Sequence, residues 1–337
     1  MVFGPLPNKT LVANSINWTG SEKPSQDSYN MKTLWSLVAL IVIAFLFFFT
    51  HKKPPFPSTN IFWANRFKVE AEIPYNSENT RQRLDLYLQG KWSGEPNYFK
   101  ILKSPTPTLI QIHGGGWISG DKADVTNWLI PYVENGWNVV NLNYRIGDHS
   151  APDAVDDVMC AIKWVAEHAK TYNFDTSKIV VTGFSSGGHL ALIAALMNRE
   201  VGLHRCYAGD QLKIPAVISW FGISDVERLE NFLAANNRPN YPLRWIGQKS
   251  KVNFISKNYS PIHYVNAHAP AILTIHGDRD TVVPYDQATS FHQALDKSGV
   301  KNQLLTLTGG THGGFSDAQY QEAFTKIFSF LREVGID

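Results

Sequence analysis

From about Phe62 onward, short β-rich runs alternate with helical stretches, and that alternation predicts an α/β domain built on one doubly wound, mostly parallel sheet. Two further observations support this class. The strand candidates VVNL, IVVT, AVISW and ILTI are continuous apolar runs, as expected of strands covered on both faces by helices. A long helical stretch beginning near Asp153 places Val155, Val158, Met159, Ile162, Val165 and Ala166 at three- and four-residue spacing, giving one apolar face to lie on a sheet.

The spacing predicts eight strands: Lys68 to Ile73, Leu84 to Leu88, Thr108 to Ile112, Asn138 to Leu142, Lys178 to Thr182, Ile214 to Trp220, Ala271 to Ile275 and Gln303 to Leu307. The first two alternate apolar and polar residues, the pattern of an antiparallel edge. No internal repeat or second block of composition appears. A chain of 337 residues carries a prior of two domains, but α/β folds of 250 residues or more commonly form one.

Composition excludes several classes. The chain is 44% hydrophobic, 12% aromatic and 18% charged, which rules out collagen-like and disordered readings. A formal net charge of +2 argues against a nucleic-acid partner, which calls for a strong basic excess. The only two cysteines, Cys160 and Cys206, are far apart and form no CxxC or metal-ligand spacing, so they are expected to be unpaired thiols.

Apolar character is concentrated near the start. Thr33 to Thr50 is an uncharged run of eighteen residues, which as a helix at about 1.5 Å per residue spans roughly 27 Å of a hydrocarbon layer about 30 Å thick. Phe47-Phe48-Phe49-Thr50-His51 offers no small-residue cleavage site, so a single uncleaved transmembrane anchor is expected. The implied organisation is a polar tail (1–32), the anchor (33–50), a proline-rich tether (51–64) and one α/β domain (65–337). Lys52, Lys53, Arg66 and Lys68 after the run favour a cytoplasmic domain by the positive-inside rule. Met31-Lys32 directly before it instead reads as the start of a signal anchor, and the expectation adopted is a domain on the exported side. The sequons at Asn8 and Asn17 do not decide between the two.

The chemistry concentrates at predicted strand ends. After the fifth strand comes Gly183-Phe184-Ser185-Ser186-Gly187-Gly188, a G-x-S-x-G followed by an apolar helical run. The pattern alone arises by chance in roughly one chain of this size in ten. Its context is what matters: the glycines permit a sharp strand-to-helix turn that exposes Ser185, and the helix N-terminus points at developing negative charge. A serine hydroxyl needs an imidazole to take its proton and a carboxylate to fix that imidazole's tautomer. His276-Gly277-Asp278-Arg279-Asp280 follows the seventh strand, and Gly309-Gly310-Thr311-His312-Gly313-Gly314 follows the eighth. Of eleven histidines, only His312 lies in a glycine-lined loop after the last strand. Asp278, Asp280 and Asp225 compete for the acid. Asp280 is preferred because the glycine turn presents the later aspartate to the catalytic edge, with Asp278 bracing the turn and Asp225 capping a helix.

His113-Gly114-Gly115-Gly116-Trp117 closes the third strand. Its bare backbone N–H groups at Gly114 and Gly115, with that of Ser186, suit the oxyanion of a tetrahedral intermediate. The loop lacks the Lys-Ser/Thr of a P-loop and the spacing of a dinucleotide site, and His113 is expected to brace the loop. Residues 226–270 are expected to form a lid beside the site, with Trp117, Trp220, Phe221, Phe232 and Trp245 as candidate pocket residues whose competing role is packing.

Together, HGGGW (113–117), YR (144–145), GFSSGG (183–188), HGDRDTVVP (276–284) and THGGF (311–315) resemble the α/β-hydrolase fold esterases. The likeness is to HGGG-bearing carboxylesterases related to hormone-sensitive lipase, particularly the branch of feruloyl and acetylxylan esterase-like enzymes, and it covers nearly all of residues 65–335. LDLYL (84–88), SPIHYV (260–265) and VPYDQA (283–288) fit that branch too. Ile146-Gly147-Asp148-His149 departs from the proline- and glutamate-rich segment of the hormone-sensitive lipase group, which favours the feruloyl-esterase-like branch. The resemblance implies Ser185, Asp280 and His312 as a triad, a small ester as substrate, and no cofactor or metal. An aryl formamidase or amidase of the same fold, or a non-catalytic binding member, are the competing expectations.

Overall fold

The computed structural model describes residues 67–92, 99–197, 206 and 212–336. The polar tail, the apolar run 33–50 and the proline-rich tether lie outside them. Among the described residues, no helix is long and apolar enough to cross a membrane.

Among the described residues nine strands form one sheet: β1 (Phe67–Pro74), β2 (Arg83–Trp92), β3 (Phe99–Ile101), β4 (Thr106–Ile112), β5 (Asn138–Leu142), β6 (Phe174–Phe184), β7 (Ala216–Trp220), β8 (Ala271–Gly277) and β9 (Asn302–Leu307). Their order is β1-β2-β5-β4-β6-β7-β8-β9, with β3 paired to β2. β1, β2 and β5 pair antiparallel and every neighbour from β5 to β9 is parallel, as the alternating and continuous apolar patterns predict. The sheet has one strand more than expected. β3 is three residues long, too short to show a period, and exists by pairing with Gly90, Lys91 and Trp92.

The described residues also contain eight α-helices: α1 (Ile130–Glu134), α2 (Asp153–Tyr172), α3 (Ser186–Leu196), α4 (Val226–Ala235), α5 (Tyr241–Ile246), α6 (Lys249–Tyr259), α7 (Asp286–Lys297) and α8 (Asp317–Glu333). One core cluster holds side chains of α2, α3 and α7, and a second holds those of α1 and α8, so both sheet faces are covered. α2 buries Val155, Val158, Met159, Ile162 and Val165, as its spacing requires. It ends where Asn173 turns left-handed and its N–H bonds Ala169 O. Segment 226–270 contains α4, α5, α6 and a 3₁₀ turn at Pro261–Tyr264.

The cysteine expectation is corrected: Cys160 on α2 and Cys206 form a disulfide across 46 residues, with Cα atoms 4.9 Å apart. Sequence spacing reveals local ligand motifs but not the tertiary approach of a helix to a distant segment.

The topology sets up the site. The chain goes from β4 outward to β5, then returns across β4 to β6, so the strand order reverses between β5 and β6 around β4. At such a switch point the loops beyond the carboxyl ends diverge and leave a crevice. Ile112 pairs with Gly183, which places the glycine loop after β4 beside the serine turn after β6.

Candidate active site

Ser185 stands between β6 and α3 with φ 53° and ψ −118°, and its N–H donates to Trp220 O at 2.9 Å. The turn is tight enough to demand glycines on both sides. A Cβ at Gly183 would lie 2.3 Å from Gly187 O, and one at Gly187 would lie 2.4 Å from the carbonyls of Ile112 and His113. The G-x-S-x-G spacing thus records a backbone crossing at van der Waals limit.

His312 Nε2 and Ser185 Oγ are 2.9 Å apart, and His312 Nδ1 is 2.7 Å from Asp280 Oδ2. An ionised carboxylate only accepts, so Nδ1 carries the proton and Nε2 is left to accept from the serine hydroxyl. The imidazole also meets Phe221 edge-on, with centroids 4.7 Å apart. The Asp280 side chain is fully enclosed. Its Oδ1 accepts from the N–H groups of Val282 and Val283 at 2.8 and 2.9 Å, and His276 Nε2 lies 3.2 Å from Oδ2. Burial alone would raise the Asp280 carboxyl, but hydrogen bonds from His276 and His312 outweigh it and hold the group well below the usual carboxylate range. The other two aspartates have separate work: Asp278 accepts from Gly309 N–H at 2.7 Å, tying the two loops, and Asp225 caps α4 through Arg228 N–H.

The HGGGW loop packs directly on this turn. A Cβ at Gly114 would come within 2.9 Å of Phe184 O and 3.5 Å of Ser185 Cβ, so only glycine lets the strand-end backbone approach the serine. Ser186 opens α3, where main-chain N–H groups lack intrahelical partners. Gly114 and Ser186 therefore lie directly beside Ser185, whereas a Cβ at Gly115 would lie 2.0 Å from Ser119 O, on the far side of the loop's own turn. His113 braces the loop, as expected: its ring stacks on Tyr144 at 4.3 Å, its Nδ1 bonds Gly114 O at 2.6 Å, and Tyr144 Oη donates to His113 O. Arg81 adds a clamp, donating to Tyr144 O and Gly120 O. Among the described residues, no group of three His, Cys, Asp or Glu side chains is placed to hold a metal ion.

Three of the candidate pocket residues are corrected. Trp117, Trp220 and Trp245 are 0, 1 and 0% exposed and offer no surface to a ligand. Trp117 and Trp245 stack on one another, Trp220 packs among Trp128, Phe184 and Phe324, and Phe232 lies partly buried against the core. Large aromatics near a site are as readily its foundation as its lining. Phe221, in contact with His312, stays beside the reactive groups. Sequence reasoning assigns no role to His276 or His189. A signal for His276 exists, since it stands at the end of a strand four positions before Asp280. His189 carries no such local signal.

Two buried histidines give the fold a pH dependence. Burial drives His113 and His189 down to about 4, against the opposing pull of the carbonyls of Gly114 and Tyr259. Unfolded, both take up protons near the ordinary value of about 6.5. Their contribution is therefore complete above pH about 6.5 and lost as pH falls through about 4, on the order of 3 kcal/mol for each. Urea unfolding between pH 7 and 4 is expected to show falling stability with acidification, and His189→Gln should flatten that slope.

The comparisons agree with this geometry. The BD-FAE family profile matches residues 98–295, more than half of the chain. A probable carboxylic ester hydrolase of Mycobacterium tuberculosis, LipM, is 31% identical over 254 residues, 72% of this chain and 59% of the relative. Across three mycobacterial relatives, the alignment spans 53 to 59% of their lengths. A truncated carbohydrate esterase from gut microbiota superposes with a TM-score of 0.62 at 25% identity, covering 79% of this chain and 97% of the other. A thermophilic esterase of Thermogutta terrifontis with bound propionate gives 0.61 at 25% identity, covering 80 and 95%. A reversing parallel sheet, a serine turn after β6 and the matched profile lead to one conclusion: the chain has the α/β-hydrolase fold and belongs to the BD-FAE family.

Proposed function

We propose that this protein is a serine carboxylesterase that cleaves small, short-acyl esters through an acyl-enzyme, with acetyl or feruloyl esters as candidate substrates. The observation that carries the reading is the unbroken line from Asp280 through His312 to Ser185, at 2.7 and 2.9 Å. His312 takes the Ser185 proton as the hydroxyl attacks the ester carbonyl, and Asp280 stabilises the imidazolium without itself being protonated. Gly114, Gly115 and Ser186 N–H groups hold the oxyanion. The alcohol departs with the proton from His312, and water then repeats the sequence on the acyl-serine. The propionate bound by the Thermogutta terrifontis esterase supports a short acyl site.

In the same reading, residues 33–50 anchor the chain in a membrane, the domain lies on the exported side, and 226–270 forms the lid. The Cys160–Cys206 disulfide supports the exported side, because such bonds persist in oxidising compartments.

A fluorophosphonate probe followed by peptide mapping tests the nucleophile, with Ser185 as the expected labelled residue. A panel of acetyl to octanoyl and feruloyl esters, run beside an aryl formamide, tests the class; the short esters are expected to be fastest. A folded protein that neither takes the label nor cleaves any ester would remove the reading, and faster cleavage of the formamide would replace it with amidase chemistry.

A further inference from the structure

Behind the glycine loop, three elements meet on one side chain. Trp117 ends the HGGGW loop with a left-handed backbone, φ 62°, a conformation that a bulky residue holds only when its surroundings impose it. Its indole stacks on Trp245 of α5, with centroids 4.6 Å apart and planes 13° from parallel. The indole Nε1–H donates to His189 Nδ1 at 3.2 Å. His189 lies one turn into α3, the helix that presents the Ser186 N–H, and its own N–H bonds Ser185 O at 3.0 Å. Its remaining nitrogen, Nε2, donates to Tyr259 O at the end of α6, 2.6 Å away. Both ring nitrogens are used in complementary senses, which fixes a neutral imidazole in a single tautomer. The 226–270 segment also reaches the glycine loop through the segment after β5: His149 N–H and Ala151 N–H donate to the carbonyls of Arg244 and Trp245, and Gly147 N–H donates to Trp117 O.

We infer that His189 is a positioning residue for the esterase reaction, locking the Trp117 end of the glycine loop to the serine helix at a fixed separation, and that α5 and α6 act on the oxyanion donors through it. The inference rests on the esterase reading above. The donors at Gly114 and Gly115 belong to one element and the donor at Ser186 to another, so their joint aim depends on what joins the two. A misplacement of about 1 Å in such a site costs on the order of a hundredfold in rate. In consequence, a substrate that displaces the 226–270 segment alters the oxyanion geometry as well as the fit of its own acyl chain.

The test compares Trp117→Phe, which keeps an aromatic ring against Trp245 but removes the indole N–H together with the fused five-membered ring, with His189→Leu and with His189→Gln, whose amide retains a donor and an acceptor. Rates are expressed per serine titrated by fluorophosphonate. Trp117→Phe and His189→Leu are expected to lower kcat for a short-chain aryl ester by about ten- to a hundredfold with KM within about threefold. His189→Gln should restore part of that loss. Leu192→Ala, a buried truncation on the same helix, should lower Tm while leaving kcat per titrated serine near wild type. Trp117→Phe carries the test if His189→Leu does not fold. A kcat per titrated serine within about twofold of wild type in Trp117→Phe overturns the inference. Wild-type protein that takes no label and cleaves no ester overturns the esterase reading instead, so the two failures are distinct.

Discussion

Ser185→Ala is expected to lower kcat for a short-chain aryl ester by on the order of a millionfold, with little change in KM. The substitution removes one oxygen, the proposed nucleophile. His312 loses the hydroxyl that its Nε2 faces at 2.9 Å. The backbone donors remain, so a residual acceleration of about a thousand- to ten-thousandfold over water is expected from binding and oxyanion stabilisation. Steady-state hydrolysis on protein purified away from host esterases measures this. Activity within about tenfold of wild type would remove Ser185 from the chemistry.

Asp280→Asn should cost about ten-thousandfold in kcat. The carboxylate accepts from Val282 N–H and Val283 N–H on one oxygen and from His312 on the other, with His276 Nε2 3.2 Å from that second oxygen. If an amide keeps its oxygen on the two main-chain donors, its NH₂ faces both imidazoles. His312 must then move its proton from Nδ1 to Nε2, where it can no longer accept from Ser185. The geometry survives and the tautomer is wrong. Asp278→Asn and Asp225→Asn, which alter a loop brace and a helix cap, are expected to keep kcat within about threefold, and kinetics at about pH 8 on the three variants distinguish the acids. Equal losses at Asp278 would reassign the role.

Much of this site is legible from local pattern. The apolar run into Gly183 and the apolar run out of Ser186 announce a strand, a turn and a helix, and steric exclusion of a Cβ at Gly183 and Gly187 explains why the motif reads as it does. Turn geometry favours Asp280 over Asp278, and the structure places Asp280 against His312 and Asp278 against Gly309. What escapes is set by distant pairings. β3 exists by partnership with β2, Cys160 meets Cys206 across 46 residues, and His189 bonds partners 72 and 70 positions away. Periodicity tells which way a side chain faces. It does not tell what waits there, which is why Trp117, Trp220 and Trp245 stand in the sequence as candidate lining with packing as the competing role.

The left-handed backbone at Ser185 sets stability and function against each other at a single residue. Holding a side chain at φ 53° and ψ −118° costs on the order of 1–3 kcal/mol, which glycine would largely avoid. Selection for thermal tolerance alone would therefore drift toward glycine at this position and discard the nucleophile. On the proposed esterase reading the strain at this serine is the cost of turnover, and stabilisation of the protein has to be sought away from the turn.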